Sequence, residues 1–272
     1  MRKEVYFHVG MPKTASTFLQ RRVFPHLNGI HYSKKWLYLE HANIVEKTDS
    51  EKFLFTFELD EGLEKHLKEF RKQHPQAKII ICFRNQASWI GSKYRYYLRK
   101  NGNGSWENFF DITSDQGRWK KDELLYYPRI EMIRNIFGSD PLVIFQDDLK
   151  NDSFGVIDSI VDFTGTTYSR ADISLGVVKK AYSDKQLKVI RSFNQKFKYN
   201  PDYFQAKLLK KLHKRSRELC LHSSAFLTKL IPENLLSKEQ LIPASDIQKI
   251  NDYYENDWQK CRDFSAQMEA NK

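Results

Sequence analysis

The chain has 272 residues, long enough for one large domain with a substantial core, and carries 45 Lys+Arg against 34 Asp+Glu, a formal net charge of +11. No apolar stretch approaches the roughly 20 residues of a bilayer span, and no apolar leader opens the chain, so a soluble cytoplasmic protein is expected. The positive balance suits an anionic ligand, an acidic polymer, nucleic acid or a membrane surface without choosing among them.

Val5 to Val9 is the first apolar run and reads as a buried strand. Phe53 to Phe57, Lys78 to Phe83 and Leu142 to Phe145 read the same way. Amphipathic stretches lie between them, for instance Leu63, Leu67 and Phe70 at helical spacing, with Pro75 ending that helix. The alternation predicts a parallel sheet covered by helices. Asn101-Gly102-Asn103-Gly104-Ser105 is a loop, either a mobile surface segment near the site or a plain turn. Beyond Ser174 no strand is visible, and Asp184 to Tyr199, Phe204 to Leu221 and Ser245 to Met268 look helical. One domain over 1–272 is therefore expected, an α/β core at 1–174 and a helical portion at 175–272 packed on it. Cys82, Cys220 and Cys261 are widely spaced, with no nearby His cluster of metal-site form, and read as reduced structural thiols.

The chemistry begins after the first strand, in His8-Val9-Gly10-Met11-Pro12-Lys13-Thr14-Ala15-Ser16-Thr17-Phe18. A strand, a tight turn and a helix N-terminus gather backbone N–H groups around one point and favour negative charge there. The nucleotide-triphosphatase pattern GxxxxGK[ST] would place Gly and Lys where this chain has Ala15 and Ser16. Lys13 instead projects from the turn, beside the outer oxygens of a bound anion, which suits a group leaving without a metal. Asp147 and Asp148 follow the strand ending at Phe145 and are the available metal carboxylates, neither in an unmistakable position. The plainer alternative is that Gly10 and Pro12 shape a turn and Thr17 caps a helix.

A second cationic anchor ends the third of these strands. Arg84 follows Phe83, and Ser92 lies eight residues on, roughly two helical turns. A guanidinium clamps phosphate with two parallel bonds and a hydroxyl completes the site. Alternatively Arg84 snorkels at the strand end and Ser92 faces outward.

At these residues the chain resembles the sulfotransferase family, whose 5′-phosphosulfate loop reads G-x-P-K-[ST]-[GA]-[ST]-[ST]-[WF] and whose central strand is followed by an Arg and, eight residues on, a Ser. The resemblance covers about residues 5 to 165, with PLVIFQDDLKNDSFGVIDSIVDFTG a looser match and SDKQLKVIRSFNQ a fainter one to bacterial members. It implies a three-layer α/β fold with a central parallel sheet and a P-loop-like strand-loop-helix. It also implies 3′-phosphoadenosine 5′-phosphosulfate as co-substrate, 3′,5′-bisphosphoadenosine (PAP) as product, and no metal. By resemblance, Lys13 contacts the bridging oxygen, Thr14, Ala15, Ser16 and Thr17 hold the 5′-phosphate, Phe18 stacks on adenine, and Arg84 with Ser92 holds the 3′-phosphate. The Arg-Lys-Gly loop of animal cytosolic members is missing. Arg191, Lys196 or Lys198 are possible substitutes without an assigned place.

Sulfuryl transfer also needs a base. Glu58 closes the second of these strands, where carbohydrate-type sulfotransferases carry a glutamate, and matches that location. His31 and His41 compete, while His8 reads as core and His66 as a solvated helix residue. The acceptor expected is a hydroxyl of a carbohydrate, a glycolipid or another small molecule. Trp89, Tyr94, Tyr96, Tyr97 and Trp106 form either an aromatic platform for it or helical core. The basic amphipathic stretch FQAKLLKKLHKRSRELCL is read either as a peripheral contact to anionic lipid or acidic glycan, or as a surface helix with its apolar stripe in the core. The rival functions are an ATP-dependent P-loop kinase and a noncatalytic anion-, nucleic-acid- or membrane-binding protein. No RNA-binding aromatic signature is present, and no nucleic-acid partner is expected. Acceptor identity and oligomeric state are not legible.

Overall fold

The structure, a computed structural model, describes residues 3–59, 61–100, 102–176, 182–196, 206–228 and 240–270. It divides into two compact units, one formed by 1–85, 125–178 and 253–272, the other by 86–124 and 179–252.

The first unit is built on a five-stranded, all-parallel sheet in the order β2-β3-β1-β4-β5. Its strands are β1 (Glu4–Gly10), β2 (His31–Ser33), β3 (Lys52–Glu58), β4 (Lys78–Phe83) and β5 (Leu142–Phe145). Four of them are the apolar runs of the sequence. The fifth, β2, has no such run, because a three-residue edge strand buries too little to write a pattern.

Alternate residues of these strands face two helical layers. On one face Tyr6, Leu54, Ile80, Cys82 and Ile144 pack with Leu19, Val23 and Phe24, with Leu149 of α7 (Gln146–Asn151) and with Ile157 and Ile160 of α8 (Ser153–Thr164). The opposite face is aromatic. Phe7 stacks on Phe70 of α3 (Leu63–Gln73) at 4.2 Å and on Tyr38 at 5.0 Å, and Phe83 lies flat on Tyr126 at 4.5 Å. In α3 the residues at helical spacing, Leu63, Leu67 and Phe70, are the buried ones. Tyr126 precedes α6 (Tyr127–Phe137) and its hydroxyl is held well above the usual tyrosine range, chiefly by burial. The expected three-layer α/β architecture is thus present, and α2 (His41–Lys47) sets His41 against Phe55 and Phe70 on the aromatic face.

The second unit is helical. It contains α4 (Gln86–Arg99), α5 (Trp106–Phe109), α9 (Asp184–Lys196), α10 (Lys207–Leu227) and the first residues of α11 (Ala244–Ala270). The aromatic residues read as a possible acceptor platform form its core: Trp89, Tyr94 and Trp106 are buried, and only Tyr96 is exposed. The Gly-rich segment is tucked against this core. Tyr94 donates to the Gly104 carbonyl at 3.0 Å, and a Cβ on Gly102 would lie 2.5 Å from the Tyr97 ring, so only glycine fits there. Asn194 donates to the carbonyls of Leu98 and Gly102 at 2.8 and 3.0 Å, and the Arg217 guanidinium donates to Asn194 Oδ1 at 2.7 Å. This buried chain ties α10, α9 and α4 together. The ends of two helices expected from the sequence, Phe197 to Tyr199 and Phe204 to Gln205, lie outside the described residues, as do Asp60 and Lys198.

Candidate active site

In a parallel sheet the strand order turns outward on both sides of a central strand, and the crevice at the carboxyl end of that strand is where such folds place ligands. Here β1 is that strand, with β3 on one side and β4 on the other. Gly10 is in register with Glu58 and with Cys82, so the loop after β1 rises between Glu58 and the Phe83-Arg84 corner. The Leu59 N–H donates to the Gly10 carbonyl at 2.9 Å and extends the β1–β3 pairing past Glu58.

The loop itself is strained. Lys13 has φ 77° and Ala15 φ 72°, two of only three non-glycine residues with positive φ among the described residues. L-residues avoid this left-handed region at a cost of about 1–2 kcal/mol each. Left-handed residues alternating with Thr14 turn successive N–H groups toward one concavity, the backbone nest that binds anions. The Thr14 hydroxyl, fully buried, donates to the Met11 carbonyl at 2.7 Å and lies 3.3 Å from the Ser16 hydroxyl. Arg84 Nη1 donates to the Lys13 carbonyl at 3.3 Å, so the second cationic anchor touches the first loop through its backbone. These contacts gather Lys13, Thr14, Ala15, Ser16, Glu58 and Arg84 at one sheet edge.

The helix that follows begins as α1 (Ser16–Phe18), widens into a π turn at Leu19–Val23 and tightens to a 3-10 turn at Phe24–His26. Its N-cap is Ala15, which supplies no side-chain acceptor, so Thr17 stands inside the first turn and is not the cap. Phe18 packs against the core cluster of this sheet face while remaining partly exposed. Ser92 is half-buried on α4, in the helical unit.

A buried polar run lies beneath the loop, and nothing in the sequence marks it. Gln20 Nε2 donates to Thr56 Oγ1 at 2.9 Å, Thr56 Oγ1 is 2.7 Å from His8 Nδ1, and His8 Nε2 is 3.3 Å from Cys82 Sγ. Desolvation pulls His8 down to about 3, so the ring is neutral. The Cys82 thiol is held well above its usual range, first by burial and then by the Glu58 carboxylate nearby. Glu58 therefore stands two residues past Thr56 on the same face of β3, level with Cys82 through their shared register with Gly10.

The competing histidines are elsewhere. His31 opens β2 in register with Phe53, five residues short of Glu58, about 16 Å along a strand. His41 Nδ1 and His74 Nε2 share a hydrogen bond of 2.9 Å on the aromatic face. His66 is half-buried against Phe57, which corrects its reading as a solvated residue. The two carboxylates considered for a metal are both ion-paired, Asp147 with Lys150 at 2.7 Å and Asp148 with Arg262. Arg191, in α9, interacts with Tyr94 within the helical unit.

The fold and this edge define a P-loop-like α/β protein. No family model and no curated protein matches the chain. Among solved structures it is similar to a sulfotransferase from Alicyclobacillus acidocaldarius, at a TM-score of 0.53 and 14% identity over 71% of this chain and 93% of that one. A mouse sulfotransferase, SULT7A1 complexed with PAP, aligns at a TM-score of 0.42 and 20% identity over 63% of this chain and 62% of that one. The chain has the sulfotransferase fold. No helix among the described residues is long and apolar enough to cross a membrane.

Proposed function

We propose that the protein transfers a sulfuryl group from 3′-phosphoadenosine 5′-phosphosulfate to a hydroxyl of a carbohydrate, glycolipid or other small acceptor, without a metal. The observation that carries this reading is the loop after β1, where positive φ at Lys13 and Ala15 makes an anion nest and Arg84 reaches its backbone. The donor nucleotide supplies the sulfuryl group already activated by its phosphate leaving group. The residues present fit its 5′ end: an anion nest braced by the Thr14 hydroxyl on the Met11 carbonyl, a hydroxyl at Ser16, and a lysine in the turn.

In this mechanism the loop amides, that of Thr14 among them, and the hydroxyls of Ser16 and Thr17 orient the 5′-phosphate, and Arg84 holds the 3′-phosphate. The Lys13 ammonium neutralises charge that grows on the bridging oxygen as the S–O bond opens, a contribution that exists mainly in the transition state. Glu58 takes the acceptor proton at its carboxylate oxygen, from a position at the carboxyl edge of β3 where an acceptor enters. Phe18 stands at the adenine end of the loop.

A calorimetric titration comparing 3′,5′-bisphosphoadenosine with ATP plus Mg²⁺ separates this reading from a P-loop kinase, because only the former demands the 3′-phosphate anchor. Tighter binding of ATP plus Mg²⁺ would overturn it. Lys13→Ala is expected to lower the transfer rate by about 10²–10³-fold while much of the bisphosphate affinity persists, since the nest is made of backbone. Unchanged turnover in that variant would remove Lys13 from the reaction.

A further inference from the structure

The basic amphipathic helix of the sequence is α10, and the loop chemistry makes no use of it. From Lys207 to Arg217 it carries six cations and no acidic residue. Had it been an ordinary surface helix, its leucines would lie in a core. The three whose side chains are described do not: Leu209 is 47% exposed, Leu212 52% and Leu219 67%.

At about 100° per residue, Leu209, Leu212, Ser216 and Leu219 fall within a sector of about 80°, and Lys211 and Arg215 fill the sector beside it. Lys211, Arg215 and Ser216 are exposed as well. The helix is fixed from the other side. Arg217 is buried, donates to Asn194 of α9 and lies over the Phe193 ring at 5.3 Å, which turns the leucines outward.

Leucines alone would suit any apolar partner, and cations alone any polyanion. Their adjacency on one outward face suits a surface that is apolar below and anionic above. A second copy of this chain would bring like charges together at this face, in a protein of net charge +11. We infer that α10 docks the protein on an anionic lipid bilayer, lying in the interface with Leu209, Leu212 and Leu219 among the acyl chains and Lys211 and Arg215 at the headgroups. This rests on α10 alone and stands apart from the reading of the loop.

Co-sedimentation of the full chain with phosphatidylcholine vesicles, with and without phosphatidylserine, tests it. Binding is expected only with phosphatidylserine and should weaken with salt. Lys211→Ala with Arg215→Ala should lower the partition coefficient about fivefold per cation, and Leu212→Ser with Leu219→Ser about tenfold or more. All four positions are exposed, so the thermal midpoint should hold. Cys220 is exposed while Cys82 and Cys261 are buried, so an environment-sensitive fluorophore on Cys220 should shift to the blue when anionic vesicles are added. Equal binding to neutral vesicles, insensitivity to both pairs of substitutions, or an unshifted label would overturn the proposal. So would a change of oligomeric state on leucine replacement in the absence of lipid, which would assign the face to a second copy.

Discussion

Ala15 holds a conformation that glycine adopts freely, and the sulfotransferase pattern allows either residue at this position. Its φ of 72° explains why glycine is accommodated there: the nest needs a left-handed residue, and a Cβ makes that costly. Ala15→Gly should therefore raise stability by up to about 1 kcal/mol, with the relief of strain partly offset by greater freedom in the unfolded chain. Urea unfolding of the two proteins would measure it, and a loss of stability would show that Ala15 is not strained. Lys13 shares the left-handed conformation, but its side chain is the proposed catalytic group, so it has no comparable replacement. At this scale the candidate loop was legible, because Gly10, Pro12, Lys13 and the hydroxyls sit in one short stretch. The Gln20-Thr56-His8-Cys82 run was not, since its members come from three strands and a helix and only register brings them together.

Elements in this fold are held by contacts that periodicity does not reveal. The first turn of α6 receives its acceptor from a distant helix: both carboxylate oxygens of Asp257 in α11 accept N–H bonds, from Tyr126 at 2.9 Å and Tyr127 at 3.0 Å. Asp257 is buried, so removing it leaves orphaned donors in a dry place. Asp257→Ala is expected to cost about 1–3 kcal/mol, read as a lower denaturation midpoint at unchanged m-value. A neutral result would mean that water replaces the carboxylate. The strands β1, β3, β4 and β5 were readable because their apolar runs are buried on both faces, whereas His31-Tyr32-Ser33 borrows its strand conformation from β3. For α10 the sequence showed an amphipathic helix but not what lies against its leucines. The same limit applied to Trp89, Tyr94 and Trp106, whose spacing suited a sugar platform as well as a core until their burial was known.

The molecule as a whole should be sensitive to acid. Burial pulls His8 down to about 3 and His74 down to about 4, and lowers His41 as well. In the unfolded chain such groups titrate near 6.5, so below that pH the unfolded state binds more protons. The stability tied to the neutral rings is complete above about pH 6.5 and is lost as the pH falls toward 4 and then 3. The slope should reach about 1.4 kcal/mol per pH unit for each ring. Chemical unfolding between pH 7.5 and 4.5 checks it, with the pH limits set to about 1–2 units either side of the free value. His8→Asn should remove about one proton's share of the slope, and an unaltered slope would mean that His8 is not protonated on unfolding.

The buried run under the loop has a direction at its Gln20 end. An amide nitrogen can only give a hydrogen, so the Thr56 oxygen receives from Gln20 and meets His8 Nδ1 with either its second lone pair or its single hydrogen. In the neutral ring one nitrogen gives and the other receives, so the ring hydrogen lies either between Nδ1 and Thr56 or between Nε2 and the Cys82 sulfur. An added proton would make both ring nitrogens donors, toward the Thr56 oxygen on one side and the Cys82 sulfur on the other, and would set a charge where burial disfavours one. The floor beneath the anion loop would thus carry the cost of a charged ring, and acid would reach the candidate site from below.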